Sequence, residues 1–146
     1  MKTTNSIIFG GTKGIGKIIS KTLSERGDRV ITASRKKIKD RSHLTIDLST
    51  GEKEIKKYLS DFFNNNNFKI HNVVFCQRYR GKNSIIDFNV TLHSTEFVIE
   101  NIKKRMGKGS SIIFISSIAI KQILDDQPMS YHLTRAALNQ MSKYYA

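Results

Sequence analysis

The sequence predicts an α/β fold in which a parallel β-sheet is covered by helices on both faces. Short apolar runs of strand length alternate with amphipathic segments of helical period, and a cluster of glycines stands where the first run meets the first such segment. Strands separated by helices of about a dozen residues or more must be joined by right-handed crossovers, which makes neighbouring strands parallel. A parallel sheet carrying its crossover helices on both faces is doubly wound.

Each element has its own signal. Ser6 to Phe9 reads as a buried first strand. Ile15, Ile18, Ile19, Thr22 and Leu23 then recur at helical spacing, which puts them on the inward face of a first helix, and Gly27 stops it. Arg29 to Ser34 is the second strand and His43 to Leu48 a shorter third. Residues 51 to 63 are helical, with Ile55, Tyr58, Leu59 and Phe62 on one face, until the run Asn64 to Asn67 breaks the period as a solvated loop. Asn72 to Cys76 is a fourth strand with a fully apolar centre, Val73-Val74-Phe75. Ile86 to Arg105 is long enough for five helical turns, with Phe97, Val98 and Ile102 in its buried stripe. Gly107 and Gly109 end that helix, and Ser110 to Ser116 is the fifth strand. After a polar stretch containing Pro128, residues 130 to 146 are again helical.

Composition narrows the class. A chain of 146 residues with 38% hydrophobic and 25% charged residues builds one domain, 1–146, and is not disordered. It holds 25 Lys+Arg against 12 Asp+Glu, a formal charge of +13. The lysines are scattered and accompany 20 Ile and 10 Asn, so most of the charge reads as compositional bias. With no stacking platform, helix-turn-helix signature or basic stripe, no nucleic-acid partner is expected. The single cysteine, Cys76, allows no internal disulfide and reads as a small buried filler; no metal site is expected, and a reducing compartment is. Without a signal-peptide core or a membrane-length apolar run, the expectation is a cytoplasmic chain with no membrane partner.

The turn after the first strand is Gly10-Gly11-Thr12-Lys13-Gly14-Ile15-Gly16, and it opens the first helix. A phosphate at a helix N-terminus needs free N–H groups and a close backbone, so side chains must be missing at the contact points. Gly10, Gly14 and Gly16 meet that need, and strand, glycine turn and helix occur in the confirming order.

This Gly-x-x-x-Gly-x-Gly spacing resembles that of the short-chain dehydrogenase/reductase family. The resemblance implies a Rossmann-type sheet of strand order 3-2-1-4-5 and a nicotinamide dinucleotide lying against Gly10, Thr12, Lys13, Gly14, Ile15 and Gly16. In that family an acidic residue after the second strand accepts from the ribose of NAD. Here the strand ends in Ser34-Arg35-Lys36-Lys37, which implies NADP(H), with Ser34, Arg35 and Lys13 at the 2′-phosphate. Asp47-Leu48 resembles the family's adenine contact, although Asp47 also suits the start of the helix that follows Ser49.

The catalytic part of the resemblance lies in Ile115-Ser116-Ser117 and, 14 residues beyond Ser117, Tyr131-His132-Leu133-Thr134-Arg135. It implies Tyr131 as acid/base, Ser117 as donor to the substrate oxygen, and residue 135 as the cation sharing a helical face with Tyr131. Asn89, in Asp87-Phe88-Asn89-Val90, takes the family's relay position, with a solvated asparagine as the plain alternative. Two departures stand out. Arg135 replaces the family's lysine and cannot release a proton. Cys76-Gln77-Arg78-Tyr79-Arg80-Gly81 replaces an Asn-Asn-Ala-Gly segment, and together with Gln127-Pro128-Met129-Ser130-Tyr131-His132 it is similar to a divergent bacterial subgroup. Family members continue into a sixth and seventh strand, so the domain is expected to be incomplete at its C-terminus. The implied activity is NADP(H)-dependent interconversion of a small-molecule carbonyl and its alcohol in a homodimer or homotetramer, the alternative being an inactive NADP(H)-binding protein.

Overall fold

The structure, a computed structural model, describes residues 4–146. Its centre is a five-stranded parallel sheet of β1 (Asn5–Phe9), β2 (Arg29–Ser34), β3 (His43–Thr45), β4 (Ile70–Phe75) and β5 (Met106–Phe114), in the order β3-β2-β1-β4-β5. The helices are α1 (Gly14–Glu25), α2 (Glu52–Asn64), α3 (Ser84–Phe88), α4 (Ser94–Ile102) and α5 (Met129–Tyr144). Predicted order and architecture are both observed: a Rossmann-type doubly wound sheet.

Alternation along the strands divides the apolar residues between the two faces. Ile7 and Phe9 pair with Ile31 and Ala33 of β2 on one side and with Val73 and Phe75 of β4 on the other. This face packs on Ile55, Leu59 and Phe63 of α2 and on Val98, Ile99 and Ile102 of α4. Burying each such side chain contributes roughly 1.5–3 kcal/mol, and together they form the main core. Phe9, Phe75 and Phe114 stack across three strands, with ring centroids 4.9 and 5.5 Å apart. That aromatic row stiffens the carboxyl edge of the sheet, where the functional loops begin.

Three expectations need correction. The inner face of α1 is made by Gly16 and Ser20, while Ile15 and Ile18 are 59% and 67% exposed. The apolar residues recur at helical spacing without facing the sheet, because small residues let the helix approach the glycine turn more closely than isoleucine would. The predicted helix from Ile86 to Arg105 is a composite: α3, a π-turn over Asn89–His93, α4, then a 3₁₀ turn over Lys103–Arg105. The wide turn lets Thr91 Oγ1 donate to the Asp87 carboxylate at 3.0 Å, and in the next turn Ser94 Oγ reaches the Leu48 carbonyl at 2.6 Å. Finally, Gly107 and Gly109 lie inside β5, not before it. Met106 already pairs with Ile70, the register shifts before Asn72 meets Ser111, and Gly109 takes up a φ of +84° at the irregularity. Element ends differ elsewhere by a few residues, most at β3, which stops at Thr45.

The crossing from β2 to β3 contains no helix. Residues 35–42 run as turns, held by His43, whose ring nitrogens lie 2.8 Å from the Lys36 carbonyl and 2.8 Å from Thr32 Oγ1. Between this segment and α1 a cleft of about 660 Å³ is left, lined in part by Lys17, Lys21, Lys36 and Ile38.

The division of faces yields a paired stability test. Ile99→Ala, at a fully buried site, is expected to lower unfolding free energy by about 2–5 kcal/mol, whereas Ile18→Ala should change it by less than about 0.5 kcal/mol, as read from urea midpoints.

Candidate active site

Because all five strands are parallel, their carboxyl ends lie along one edge, and the segments that follow the strands begin there. At the centre is the glycine turn. Gly10 leaves β1 with φ +76° and donates its N–H to the Ala33 carbonyl at 2.8 Å. A Cβ at Gly10 would lie 2.9 Å from the Gln77 backbone nitrogen, and one at Gly16 would run into the Gly10 carbonyl. Ser20 Oγ closes the packing by donating to the Gly16 carbonyl at 2.8 Å. Lys13 is the N-cap of α1 but gives it no side-chain cap, and the first turn carries no acid. The leading N–H groups of α1 thus remain uncapped by side chains, with positive partial charge facing the strand edge. Gly14, at φ +51°, and the half-buried Thr12 complete the turn, with Ile15 exposed beside it.

Next along the edge, Ser34 ends β2 with its hydroxyl accepting from the Lys36 N–H at 3.3 Å, and Arg35 is exposed. No carboxylate occurs from Ser34 to Lys37. Asp47 follows β3, and its Oδ1 accepts from the Ser49 N–H and hydroxyl at 2.9 and 2.7 Å. It folds its own turn and does not cap α2, whose N-cap is Gly51. Leu48 is buried, its carbonyl receiving the Ser94 hydroxyl.

The far half of the edge is organised by α5. Arg135 is 4% exposed; its Nη1 donates to the Ile115 carbonyl at 3.0 Å, and Ser116 Oγ donates to the Arg135 carbonyl at 3.3 Å. Helix and strand end are thereby tied together. Ser117, immediately beyond, accepts from the Ala119 N–H at 3.2 Å and caps a 3₁₀ turn packed on α5. The Arg135 guanidinium carbon lies 4.9 Å from the Tyr131 ring centroid, so the i, i+4 spacing brings the pair together. Asn89 begins the π-turn, which also packs on α5, and is half-buried. Burial pulls the Arg135 guanidinium below arginine's usual range; Tyr131 and Asp87 oppose that pull, and Arg78 adds to it.

Sequence reasoning missed three participants. Asp87 is buried and accepts from Thr91 Oγ1 and, at 2.9 Å, from Ser130 Oγ, which ties α3 to the residue preceding Tyr131. Its signal was an i, i+4 pair with Thr91, which reads like any polar helix face. Arg78 donates to the Gln127 side-chain oxygen, and its guanidinium carbon lies 4.5 Å from the Tyr131 ring centroid. Gln77 donates through Nε2 to Thr95 Oγ1 at 2.8 Å. Only the third dimension shows that the segments after β4 and before α5 meet.

Three buried polar atoms have no partner among the described residues: Gln77 Oε1, Arg135 Nε and Arg135 Nη2. An unpaired buried donor or acceptor costs about 1–3 kcal/mol, more on a charged group, so these atoms are suited to a polar ligand. Two guanidinium donors match hydroxyl acceptors, and the tight glycine turn with uncapped N–H groups matches a pyrophosphate. The residues present therefore fit a nicotinamide dinucleotide. Among the described residues no group of three His, Cys, Asp or Glu side chains could hold a metal ion, and no helix is long and apolar enough to cross a membrane.

The architecture is that of the short-chain dehydrogenases and reductases. A short-chain dehydrogenase from Shigella flexneri superimposes with TM-score 0.86 at 17% identity, over 100% of this chain and 67% of its own. A short-chain dehydrogenase family protein from Francisella tularensis gives 0.81 at 21% identity over 99% of this chain and 63% of its own. An oxidoreductase of the same kind from Brucella ovis, in complex with a partially ordered NAD, gives 0.80 at 20% identity over 99% and 77%. The chain thus spans about two thirds of the length of these structures. No family model and no curated protein matches the sequence.

Two predictions test the site's packing. Gly16→Ala is expected to destabilise the protein by about 1–3 kcal/mol, because the obstruction is backbone; a urea midpoint equal to that of the parent would contradict it. Burial pushes the Cys76 thiol up to about 11, against an ordinary value near 9.0. Well below both values the thiolate fraction falls by roughly a hundredfold, so iodoacetamide at pH 8 should alkylate folded Cys76 at least tenfold more slowly than the urea-unfolded chain.

Proposed function

We propose that this chain is the dinucleotide-binding and catalytic part of an NADP(H)-dependent oxidoreductase that interconverts a carbonyl and an alcohol. The observation that carries the reading is Arg135, a buried guanidinium with two unpartnered nitrogens beside the Tyr131 ring, at the same sheet edge as the glycine turn. A bound nicotinamide dinucleotide supplies the redox chemistry.

The chain's own residues supply the rest. The glycine turn and the N-terminus of α1 hold the pyrophosphate, and Arg135 Nε and Nη2 donate to ribose hydroxyls. Tyr131 gives a proton to the substrate oxygen in reduction and takes it back in oxidation, and Ser117 donates a hydrogen bond to that same oxygen. Because a free phenol is a weak base at neutral pH, the Arg135 charge is needed to offset negative charge on the Tyr131 oxygen. Asn89, on the π-turn against α5, supports the proton path. Preference for the phosphorylated cofactor is supported by the exposed Arg35 and Lys13 and by the lack of a carboxylate from Ser34 to Lys37.

A second reading, cofactor binding without turnover, is favoured by one feature: Arg135 keeps its charge too firmly to pass a proton on. Fluorescence titration with NADPH and NADH and a carbonyl-reduction assay test both readings. NADPH should bind at least tenfold more tightly than NADH, and Arg35→Glu should abolish the difference. Tyr131→Phe should reduce turnover by about 10² to 10⁴ while changing NADPH affinity less than about twofold. Arg135→Lys separates the readings, since a large gain in rate marks an impaired enzyme and no rate in either protein marks a binding module.

A further inference from the structure

Tyr131 is flanked by two guanidinium groups, not one. Besides Arg135, the Arg78 guanidinium carbon lies over the same ring, 4.5 Å from its centroid. The two are held differently. Arg135 is buried and anchored on the Ile115 carbonyl, whereas Arg78 is exposed and anchored on the side-chain oxygen of Gln127. Its place over the ring is set by the Gln127 contact, and a cation over one aromatic face calls for a reason. Ion pairing is not that reason, because among the described residues Arg78 makes no salt bridge. The nearby Asp126 carboxylate instead accepts from Gln127 Nε2 at 2.8 Å, which orients the amide oxygen toward Arg78.

We propose that Arg78 is a positioning residue for Tyr131, clamping its ring and offsetting negative charge that develops on the phenol oxygen, with Gln127 as its holder. The proposal rests on the reading of Tyr131 as the acid/base. It gives the two departing segments, Cys76 to Gly81 and Gln127 to His132, a joint purpose, since one supplies the cation and the other both its anchor and its target. Other groups near the ring do not supply this charge: His132 meets it edge-on at 6.2 Å, and Asp87, which accepts from the neighbouring Ser130, carries the opposite sign. At an exposed site a cation over an aromatic face contributes about 0.5–1 kcal/mol, which corresponds to a roughly twofold to fivefold effect on a step that places charge on the phenol.

Two measurements test the clamp, one of them independent of turnover. Nitration by tetranitromethane at a fixed pH requires negative charge on the phenol, and its rate at Tyr131 is followed by peptide mass spectrometry with the exposed Tyr144 as internal control. Arg78→Gln and Gln127→Ala should slow Tyr131 nitration by roughly two- to fivefold relative to Tyr144, and Arg78→Lys should restore most of the parent rate. Unchanged or faster nitration in Arg78→Gln would overturn the proposal whether or not the chain turns over. In the reductase assay, Arg78→Gln should lower kcat by roughly two- to fivefold, leave the NADPH Kd unchanged, and have no further effect in a Tyr131→Phe background. Equal losses in kcat and NADPH affinity would also overturn it. An inactive parent chain with slowed nitration in Arg78→Gln would reject the enzymatic reading while keeping the clamp.

Discussion

A single buried charge organises the half of this molecule built around α5. Moving a guanidinium out of water costs several kcal/mol unless its surroundings answer it, and Arg135 is almost fully enclosed. One of its nitrogens meets the Ile115 carbonyl just past the end of β5, its central carbon lies 4.9 Å from the Tyr131 ring centroid, and the opposing charge comes from Asp87. Those contacts fix the distance between α5 and the sheet edge, and the Ser116 hydroxyl on the Arg135 carbonyl repeats the tie from the other side. Asp87 is in turn held by Thr91 and Ser130, so α3, the π-turn and the first turn of α5 are one hydrogen-bonded unit. Removing the guanidinium would loosen all of them; leaving two of its nitrogens unpaired keeps the same unit open to a ligand.

Arginine in this position has a chemical consequence that lysine would not have. A lysine ammonium is a compact donor that can lose a proton, whereas arginine presents a planar fork with its charge locked on. Planarity suits it to sit against a tyrosine ring while its edge donates elsewhere, and Arg135 sits beside Tyr131 while its Nη1 donates to the Ile115 carbonyl. The same geometry permits a second guanidinium at the ring, which a pair of strongly hydrated ammonium groups would tolerate less readily. Arg78 depresses the affinity of Arg135 for its proton, as a neighbouring cation must. The phenol therefore sits in a field that is positive from two directions and is tempered by one buried carboxylate.

Strand order and element type are legible in the sequence because a parallel sheet leaves two independent marks, apolar runs and long intervening helices. The glycine turn is legible for the same reason: its spacing is a backbone requirement, and backbone requirements are written locally. Tyr131 and Arg135 are four residues apart, so helical geometry alone pairs them. What is hidden depends on contacts between distant segments. Arg78 and Gln127 are 49 positions apart, and Asp87 and Ser130 are 43 apart, and nothing in either segment marks its partner. The inward face of α1 is hidden for a different reason. Hydrophobic period identifies where a helix is apolar, but the requirement here is closeness, and closeness selects Gly16 and Ser20 over isoleucine.

That closeness links the two halves of the site. A helix that packs through glycine and serine brings its N-terminus right up to the end of β1, so its free N–H groups open directly onto the strand edge. On the other side Gly10 lies against the backbone at Gln77, the residue whose amide oxygen is buried without a partner and whose successor is Arg78. The glycine turn and the segment carrying the second arginine thus touch through main chain, with no side chain between them to give way. A substitution that widened the contact at Gly10 would displace the loop after β4 as well as the turn, and would move Arg78 relative to Tyr131. The geometry of the glycine turn and the charge around the tyrosine are therefore coupled through the absence of one Cβ.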